Sequence, residues 1–459
     1  MRSVDPATGE ELATYEEHTP EAVDEALERA TTRFVEWRER SVQDRCGVLV
    51  EAADLLRERS EEYGELMSRE MGKPIEQAVG EVKKCAWVCE YYAERAPEQL
   101  ADEVIGTEHD ARTLVSHEPL GPVLAVMPWN FPFWQVFRFA APNVAAGNVG
   151  LLKHASNVPG SALAVEEVLR DAGVPEGAFQ TLLVSSEQVD SIIEDRRVKA
   201  VTLTGSEPAG RAVAETAGRE LKKTVLELGG ADPFVVLKDA PIEETVEKAV
   251  HARVQNNGQS CIAGKRFVVV EDVYDAFLDR FVDAMADLTV GDPRDSDTDV
   301  GPMAREDLLA ELHDQVERSV EAGAEVALGG EPLDREGPFY PPTVLTDVPL
   351  DSAAACEETF GPVAAVIRVP DEETAVAVAN DSTLGLGASV WTSDLERGER
   401  VARAFEAGCC FVNEYVKSDP RVPFGGVKDS GYGRELSRDG IHEFVNRKTV
   451  WVDHGLTEE

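Results

Sequence analysis

The stretch AVTLTGSEPAGRAVAETAGRELKKTVLELGG, residues 200–230, decides the fold class. Its apolar run over 200–204 predicts a strand, the segment 208–219 predicts a helix, and 224–228 predict a second strand. Strand–helix–strand units of this kind form parallel sheets covered by helices on both faces. The sequence therefore predicts an α/β protein.

The same alternation extends on both sides of this stretch. Further strands are predicted over 123–127, 149–152, 179–184, 234–237, 266–270 and 364–369, with helices over 162–170, 242–254, 274–288 and 305–322. Earlier in the chain, apolar residues three and four apart over 20–98 predict several amphipathic helices. Alternating residues near 100–120 predict a hairpin or a short strand pair. The best domain boundary lies near 229–239.

The composition excludes several classes of partner. Of the 459 residues, 87 are Asp or Glu and 45 are Lys or Arg, which gives a formal net charge of −42. Nucleic acids and anionic membranes bind basic surfaces, so neither is expected as the main partner. Hydrophobic residues make up 43% of the chain, enough for a large core.

The acidic charge has two interpretations. One is an ordinary acidic cytosolic enzyme. The other, which we favour, is adaptation to molar salt, because the 45 basic residues comprise 32 Arg and only 13 Lys. At about 1 M salt the Debye length is about 3 Å, so repulsion between carboxylates is screened. This halophilic interpretation predicts weaker folding at low salt.

The seven cysteines do not form the pattern of a disulfide framework. Their number is odd and their spacing irregular, and no zinc-binding set accompanies them, so no metal is expected. No apolar run of about 18 residues predicts a transmembrane helix. The first residues lack the apolar core of a signal peptide. We therefore expect a cytoplasmic protein.

Two motifs could bind a phosphate or supply a nucleophile. In residues 204–210, TGSEPAG, a strand passes into a helix; Ser206 can cap that helix, and Gly205 and Gly210 allow close backbone approach. Free N–H groups and the helix dipole attract phosphate there, although an ordinary turn has the same sequence pattern. Cys261 follows the polar loop NNGQS, where a thiolate could be a nucleophile or the thiol could be inert.

Two further motifs offer a carboxylate and an amide. Glu227 ends a predicted strand, and ligands bind at that end of parallel sheets, although a solvated or capping Glu is an alternative. Asn130 lies in PWNFP, residues 128–132, where two prolines fix the backbone. The motif could be a rigid packed turn, or it could aim the amide at an oxyanion.

The order of these motifs along the chain resembles the NAD(P)-dependent aldehyde dehydrogenase superfamily. PWNFP is followed by Lys153, the 204–210 motif, ELGG at 227–230 and GQSC at 258–261, and later by EETFGP at 357–362 and PFGGVK at 423–428. The resemblance extends from about residue 5 to about 451. It implies a Rossmann-type cofactor domain, an α/β catalytic domain and a small β oligomerisation element.

The resemblance also implies catalytic roles. Cys261 would attack the aldehyde, the Asn130 amide and the Cys261 backbone N–H would hold the oxyanion, and Glu227 would activate water to hydrolyse a thioester. It places NAD or NADP near the following residues: Trp129, Asn130, Lys153, Ser156, Gly205, Ser206, Gly210, Leu228, Glu358 and Phe360. Members that prefer NAD often have Glu where Ser156 stands, so we expect NADP to be used, alongside NAD.

Within the superfamily the chain is most similar to succinate-semialdehyde dehydrogenases. Arg138 lies where an Arg of that group binds the substrate carboxylate, and Ser418 could add a hydrogen bond. A surface or interface role is the alternative for Arg138. Some members have a second Arg six residues before the nucleophile, where this chain has Gln255, so specificity could be broader.

The alternatives in function are three. Betaine aldehyde, glutarate semialdehyde or aliphatic aldehydes could be the substrates. A CoA-acylating enzyme is disfavoured because Glu227 is present. A non-catalytic relative is disfavoured because Cys261, Glu227 and Asn130 are all present.

The domain division that the resemblance implies is a cofactor domain over 1–98 and 120–230, a catalytic domain over 231–445, and an oligomerisation element over 99–119 and 446–459. A homodimer or homotetramer is expected, since pairing would cover the exposed hairpin edge.

Overall fold

The computed structural model describes residues 1–106 and 111–453. Its first part is mainly helical and ends in a strand and a buried helix. The elements are β1 (Arg2–Val4), β2 (Glu11–Thr14), α1 (Pro20–Trp37), α2 (Val42–Glu58), α3 (Ser60–Met71), α4 (Ile75–Gln99), β3 (Glu103–Ile105), β4 (Ala111–Pro119), β5 (Pro122–Met127) and α5 (Trp134–Ala146). The amphipathic helices predicted over 20–98 are thus α1 to α4.

The middle of the chain alternates strands and helices, as expected from its pattern. The elements are β6 (Val149–His154), α6 (Pro159–Asp171), β7 (Phe179–Thr181), α7 (Val189–Glu194), β8 (Ala200–Thr204), α8 (Glu207–Arg219), β9 (Lys223–Glu227), β10 (Pro233–Val236), α9 (Ile242–Val254), β11 (Arg266–Val270) and α10 (Tyr274–Ala286). The strand predicted over 179–184 is shorter than expected and ends at Thr181.

The last part adds strands that the sequence pattern did not indicate. The elements are α11 (Glu306–Glu321), β12 (Glu325–Leu328), β13 (Thr343–Thr346), α12 (Ala353–Cys356), β14 (Val363–Val369), α13 (Glu372–Asn380), β15 (Leu384–Gly385), β16 (Gly387–Trp391), α14 (Leu395–Ala404), β17 (Cys409–Val412), β18 (Val427–Lys428), β19 (Gly431–Tyr432), α15 (Ser437–Glu443) and β20 (Val445–Asp453).

Two parallel sheets form the centre of the fold. The first has six strands in the order β19-β9-β8-β5-β6-β7, and all but β19 are parallel. The second has seven strands in the order β12-β13-β14-β11-β10-β16-β17, and all but β12 are parallel. Both have the buried apolar strands expected when helices cover both faces.

A third sheet is antiparallel, with the order β20-β4-β3. It falls within the predicted oligomerisation element, of which residues 107–110 and 454–459 lie outside the described part of the chain. The short strand β19 pairs with β9, so a late segment joins the first sheet although the predicted division assigns it to the other unit. The domain division itself stays a prediction.

Helix α5 is one of the elements that the sequence pattern missed. All its residues are buried, so it has no polar face and no helical period in hydrophobicity. Its start is held by Glu81 of α4, whose carboxylate accepts hydrogen bonds from the backbone N–H groups of Phe133 and Trp134, each at 2.9 Å. Lys73 pairs with the same carboxylate. In the described residues, no helix is long and apolar enough to cross a membrane.

Candidate active site

Two cavities meet at Cys261. The first, called here the basic cavity, has a volume of about 400 Å³ and is lined by Lys84, Arg138, Lys417 and Arg421 among others. The second, called the α8 cavity, has a volume of about 480 Å³ and opens at the N-terminus of α8. Cys261 and Gln135 line both cavities. A reactive group at Cys261 can therefore contact two ligands at once.

The loop before Cys261 has an unusual backbone. Asn256, Asn257 and Gly258 have φ values of 54°, 59° and 72°, so three consecutive residues are left-handed. Glycine is required at the third position because a Cβ there would lie 2.3 Å from the Gly361 carbonyl oxygen. The chain thus turns sharply from α9 and places Cys261 at the junction of the cavities.

Side-chain hydrogen bonds hold this conformation. Asn257 Nδ2 donates to the Gly72 carbonyl at 2.7 Å and to that of Pro302 at 3.0 Å. Asn257 Oδ1 accepts from the Gly301 N–H at 2.7 Å. Asn256 donates through Nδ2 to the Asn130 carbonyl at 2.8 Å. The loop is therefore fixed by residues from distant parts of the chain.

Cys261 has a thiol that favours its protonated form. Burial raises the pKa of the Cys261 thiol to about 12, although the charges of Lys265 and Arg138 act to lower it. Lys265 Nζ donates to the carbonyls of Ser260 at 2.9 Å and Cys261 at 2.7 Å. Formation of the thiolate at neutral pH consequently needs a nearby proton acceptor.

Asn130 is buried beside this loop and lines the α8 cavity. Its Nδ2 donates to the Gln259 carbonyl at 3.0 Å, and its Oδ1 accepts from Gln135 Nε2 at 3.1 Å. The orientation of the amide is therefore defined, with the nitrogen facing the Cys261 loop. One of its two N–H groups is used by Gln259.

Glu227 lies behind the cavities rather than on their walls. It ends β9, is 2% exposed, and neither of its carboxylate oxygens has a hydrogen-bond partner among the described residues. Burial, followed by the neighbouring Glu435 carboxylate, raises its pKa well above the usual range. The structure does not bring this carboxylate to the wall that Cys261 forms. To act on a bound group it has to rotate or work through water.

Arg138 and Ser418, in contrast, both line the basic cavity together with Cys261. Arg138 is 3% exposed, so it is not the surface residue that was the alternative. Its Nε lies 2.8 Å from a Glu435 carboxylate oxygen, and its guanidinium lies 4.7 Å from the centre of the Phe424 ring. Ser418 Oγ accepts from Trp134 Nε1 at 3.0 Å.

Most of the predicted cofactor residues line the α8 cavity. They are Trp129, Asn130, Gly205, Ser206, Leu228, Glu358 and Phe360. Glu358 is held there by Lys265, at 3.2 Å, and by the Gly230 N–H, at 3.1 Å. The rings of Trp129 and Phe360 meet edge to face with centroids 5.7 Å apart. The Glu358 carboxylate and the aromatic rings of Trp129 and Phe360 thus line the same cavity.

Three predicted cofactor residues do not line this cavity. Gly210 faces Leu228, and a Cβ there would lie 2.6 Å from a Leu228 methyl carbon, so the glycine allows close helix–strand packing. Lys153 is the next-to-last residue of β6, and burial lowers its pKa; Ser156 is exposed in the following turn. The expected cap is wrong in part: Ser206 stands at the N-cap of α8, but its side chain makes no capping hydrogen bond.

Three charged residues of this site were not predicted from the sequence. Lys265 contacts the Cys261 loop, Glu435 pairs with Arg138, and Lys84 lines the basic cavity. Glu435 lies just before α15, in a polar stretch of sequence that is typical of an exposed segment. Lys84 lies in the charged pattern of α4, where lysine normally faces solvent. For Lys265, the short spacing from Cys261 was the one sequence signal that could have placed it in the site.

The family model for the aldehyde dehydrogenase family matches residues 1–450. The chain belongs to this family. Two succinate-semialdehyde dehydrogenases (NADP+) are 52% identical to it. The one from Mycolicibacterium paratuberculosis aligns over 455 residues, which cover 98% of this chain and 96% of the relative. The one from Mycobacterium tuberculosis aligns over 454 residues, which cover 98% of this chain and 99% of the relative.

Solved structures match this aldehyde dehydrogenase over nearly its whole length. Succinic semialdehyde dehydrogenase from Streptococcus pyogenes, in complex with NADP+ as the cofactor, has a TM-score of 0.97 and 38% identity, covering 99% of this chain and 100% of its own. Succinate-semialdehyde dehydrogenase from Burkholderia pseudomallei has a TM-score of 0.96 and 35% identity, covering 99% and 94%. The predicted family and fold are confirmed.

The left-handed loop gives a direct prediction for this aldehyde dehydrogenase. We expect Gly258→Ala to reduce turnover at least about 100-fold, since the strain of a left-handed Ala and its clash displace Cys261 by a fraction of an ångström or more. Initial rates of NAD(P)H formation measure this. The control is Gly80→Ala on α4, where a Cβ meets nothing within 4 Å. Wild-type rates in Gly258→Ala would contradict the role assigned to the loop.

Proposed function

We propose that this aldehyde dehydrogenase oxidises succinate semialdehyde to succinate with NADP+ as the preferred acceptor. One observation carries the proposal: Cys261 forms a common wall between the basic cavity, which contains Arg138 and Ser418, and the α8 cavity. The relatives and solved structures named above act on the same aldehyde by name, which supports this choice of substrate.

In the first step the Cys261 sulfur bonds to the aldehyde carbon. The thiol proton passes to water in the cavity, and the carbonyl π-electrons move to oxygen to form an oxyanion. The Asn130 amide and the Cys261 backbone N–H are the proposed donors to that oxyanion. Loss of one such donor typically costs about 2.7–4 kcal/mol in the transition state. The fixed orientation of Asn130 supports this role.

The residues of the α8 cavity fit a dinucleotide. The N-terminus of the 13-residue helix α8 suits a pyrophosphate, Glu358 suits a ribose hydroxyl, and Trp129 and Phe360 suit a flat ring. A bound nicotinamide would supply the acceptor for the hydride that leaves the carbon attached to Cys261, and that carbon would then be a thioester carbonyl. Lys265 keeps Glu358 in place during this step.

Hydrolysis of the thioester completes the proposed cycle. Water adds to the acyl carbon, the C–S bond breaks, and succinate and the Cys261 thiol result. Glu227 is the proposed base that takes the proton from water. Its raised pKa makes it a proton acceptor of adequate strength once it is ionised. Its buried position requires a rotation toward Cys261. In its present position the carboxylate packs against Gly425, where a Cβ would lie 2.6 Å from Glu227 Oε1.

The proposed substrate predicts a clear preference between aldehydes of equal length. We expect kcat/KM for succinate semialdehyde to exceed that for butanal by about 10–100-fold, because charge-assisted hydrogen bonds to the carboxylate contribute a free energy of that size. We expect Arg138→Met to abolish most of this preference. Initial rates of NADPH and NADH formation in high salt without CoA provide the measurement.

The control variant is Arg421→Met. Arg421 lines the same cavity, but its side chain is largely exposed and pairs with Asp419. It should keep the preference. Equal rates for the two aldehydes in the wild type would reject succinate semialdehyde and favour the broader alternatives. No turnover with any aldehyde would favour a non-catalytic relative.

The cofactor preference is proposed to depend on Ser156. A carboxylate at this exposed turn would repel a 2′-phosphate. We therefore expect Ser156→Glu to raise the KM for NADP+ at least about tenfold, because the new carboxylate makes the charge around the 2′-phosphate unfavourable. Binding of NAD+, which has no 2′-phosphate, should change little. Ser156→Ala is the uncharged control. An unchanged KM for NADP+ in Ser156→Glu would count against the proposal.

The acidic surface is proposed to be an adaptation to high salt. Lowering KCl from about 2 M to about 0.1 M lengthens the Debye length to about 10 Å, so repulsion among the excess carboxylates grows. We expect the midpoint of thermal unfolding to fall as a result, which calorimetry measures. A midpoint that does not change over this range would indicate an ordinary acidic enzyme.

The assembly proposed is a homodimer or homotetramer formed through the antiparallel sheet. Val104 and Ile105 of β3 and Val452 of β20 are exposed on this sheet. An apolar edge of this kind is stabilised when another subunit pairs with it. We also propose a cytoplasmic location, on the basis of the composition of the chain.

A further inference from the structure

Lys84 is a cationic side chain in the basic cavity without an acidic partner. Among the described residues, no carboxylate forms an ion pair with its ammonium group, whereas Lys73, near the start of the same helix, pairs with Glu81. Its Nζ donates to Ser418 Oγ at 2.8 Å and lies 4.3 Å from the centre of the Trp134 ring. A partly buried cation with neutral partners alone is costly unless it binds an anion.

The hydrogen bonds around Ser418 define how its hydroxyl is directed. Ser418 Oγ accepts one bond from Lys84 Nζ and one from Trp134 Nε1. Both lone pairs of the oxygen are then used, so its proton is left to donate. The hydroxyl thus becomes a donor to whatever lies in the cavity. Lys84 keeps two further N–H groups for the same purpose.

The charges that face Lys84 support an anion in this cavity. Among the charged neighbours, Arg138 of α5 has the largest effect on the pKa of Lys84 and lowers it, whereas Cys85, Glu81 and Asp419 raise it more weakly. Burial and Arg138 lower the pKa of Lys84 to about 8, so the ammonium form still dominates at neutral pH. Asp419 is engaged by Arg421 at 2.6 Å. A carboxylate between the two cations would relieve their repulsion.

We propose that Lys84 binds the distal carboxylate of the substrate, together with Arg138 and the Ser418 hydroxyl, which line the same cavity. The contact selects short aldehydes with a carboxylate at the far end from the reacting carbon. The inference deepens the proposed function and rests on it. It makes Lys84 a specificity-determining residue supplied by α4, whereas Arg138 comes from α5.

The test is the preference for succinate semialdehyde over butanal in Lys84→Met. We expect kcat/KM for succinate semialdehyde to fall about 10–100-fold, mainly through KM, as for loss of a charge-assisted hydrogen bond. The value for butanal should change less than about twofold, because that substrate has no carboxylate. Lys83→Met is the matched control, since Lys83 is the exposed neighbour on the same helix and loses the same charge.

Lys84→Gln separates charge from positioning. Glutamine can still donate to Ser418 but carries no charge, so we expect it to lose the preference as Lys84→Met does. Retention of the preference in Lys84→Gln would overturn the inference and leave Lys84 as a residue that only orients Ser418. An equal loss with both aldehydes would overturn it as well. A wild type without any preference would instead reject the substrate itself.

Discussion

The left-handed conformation of residues 256–258 is the constraint on which the site depends. Non-glycine residues in this region typically cost about 1–3 kcal/mol each, so the surrounding structure has to compensate. It does so with hydrogen bonds that Asn256 and Asn257 donate to the carbonyl of Gly72 after α3, the side-chain oxygen of Gln77 in α4 and the carbonyl of Pro302 before α11. Cys261 reaches the junction of the two cavities only when the helical N-terminal part and the second sheet are docked against this loop.

Buried ion pairs connect the elements that surround the loop. Lys73 and Glu81 hold the start of α5, Lys265 and Glu358 connect the Cys261 loop with the α8 cavity, and Arg138 joins α5 to Glu435. Such pairs add little to stability compared with apolar packing, but removing one partner is strongly destabilising because it leaves a buried charge. Their main effect is to fix the relative positions of α4, α5 and the loop.

Much of the fold could be predicted because its central strands are apolar and its helices amphipathic. Strand 200–204 and helix 242–254 were predicted with the bounds that the structure has. Helix α5 was missed because burial on all sides removes the helical period, and the strands near the C-terminus are too short to stand out. Among site residues, Cys261 and Asn130 were found from local motifs. Lys84 and Glu435 were not, because a charged residue in a polar stretch acquires its role only through tertiary contacts.

The shared wall at Cys261 has a consequence for the order of events. Cys261 lines both cavities, so under the proposed function the aldehyde and the dinucleotide would occupy separate spaces at one thiol. In the proposed cycle, the reduced dinucleotide could therefore leave the α8 cavity while the acyl group stays on Cys261, and water could then enter the space that it leaves.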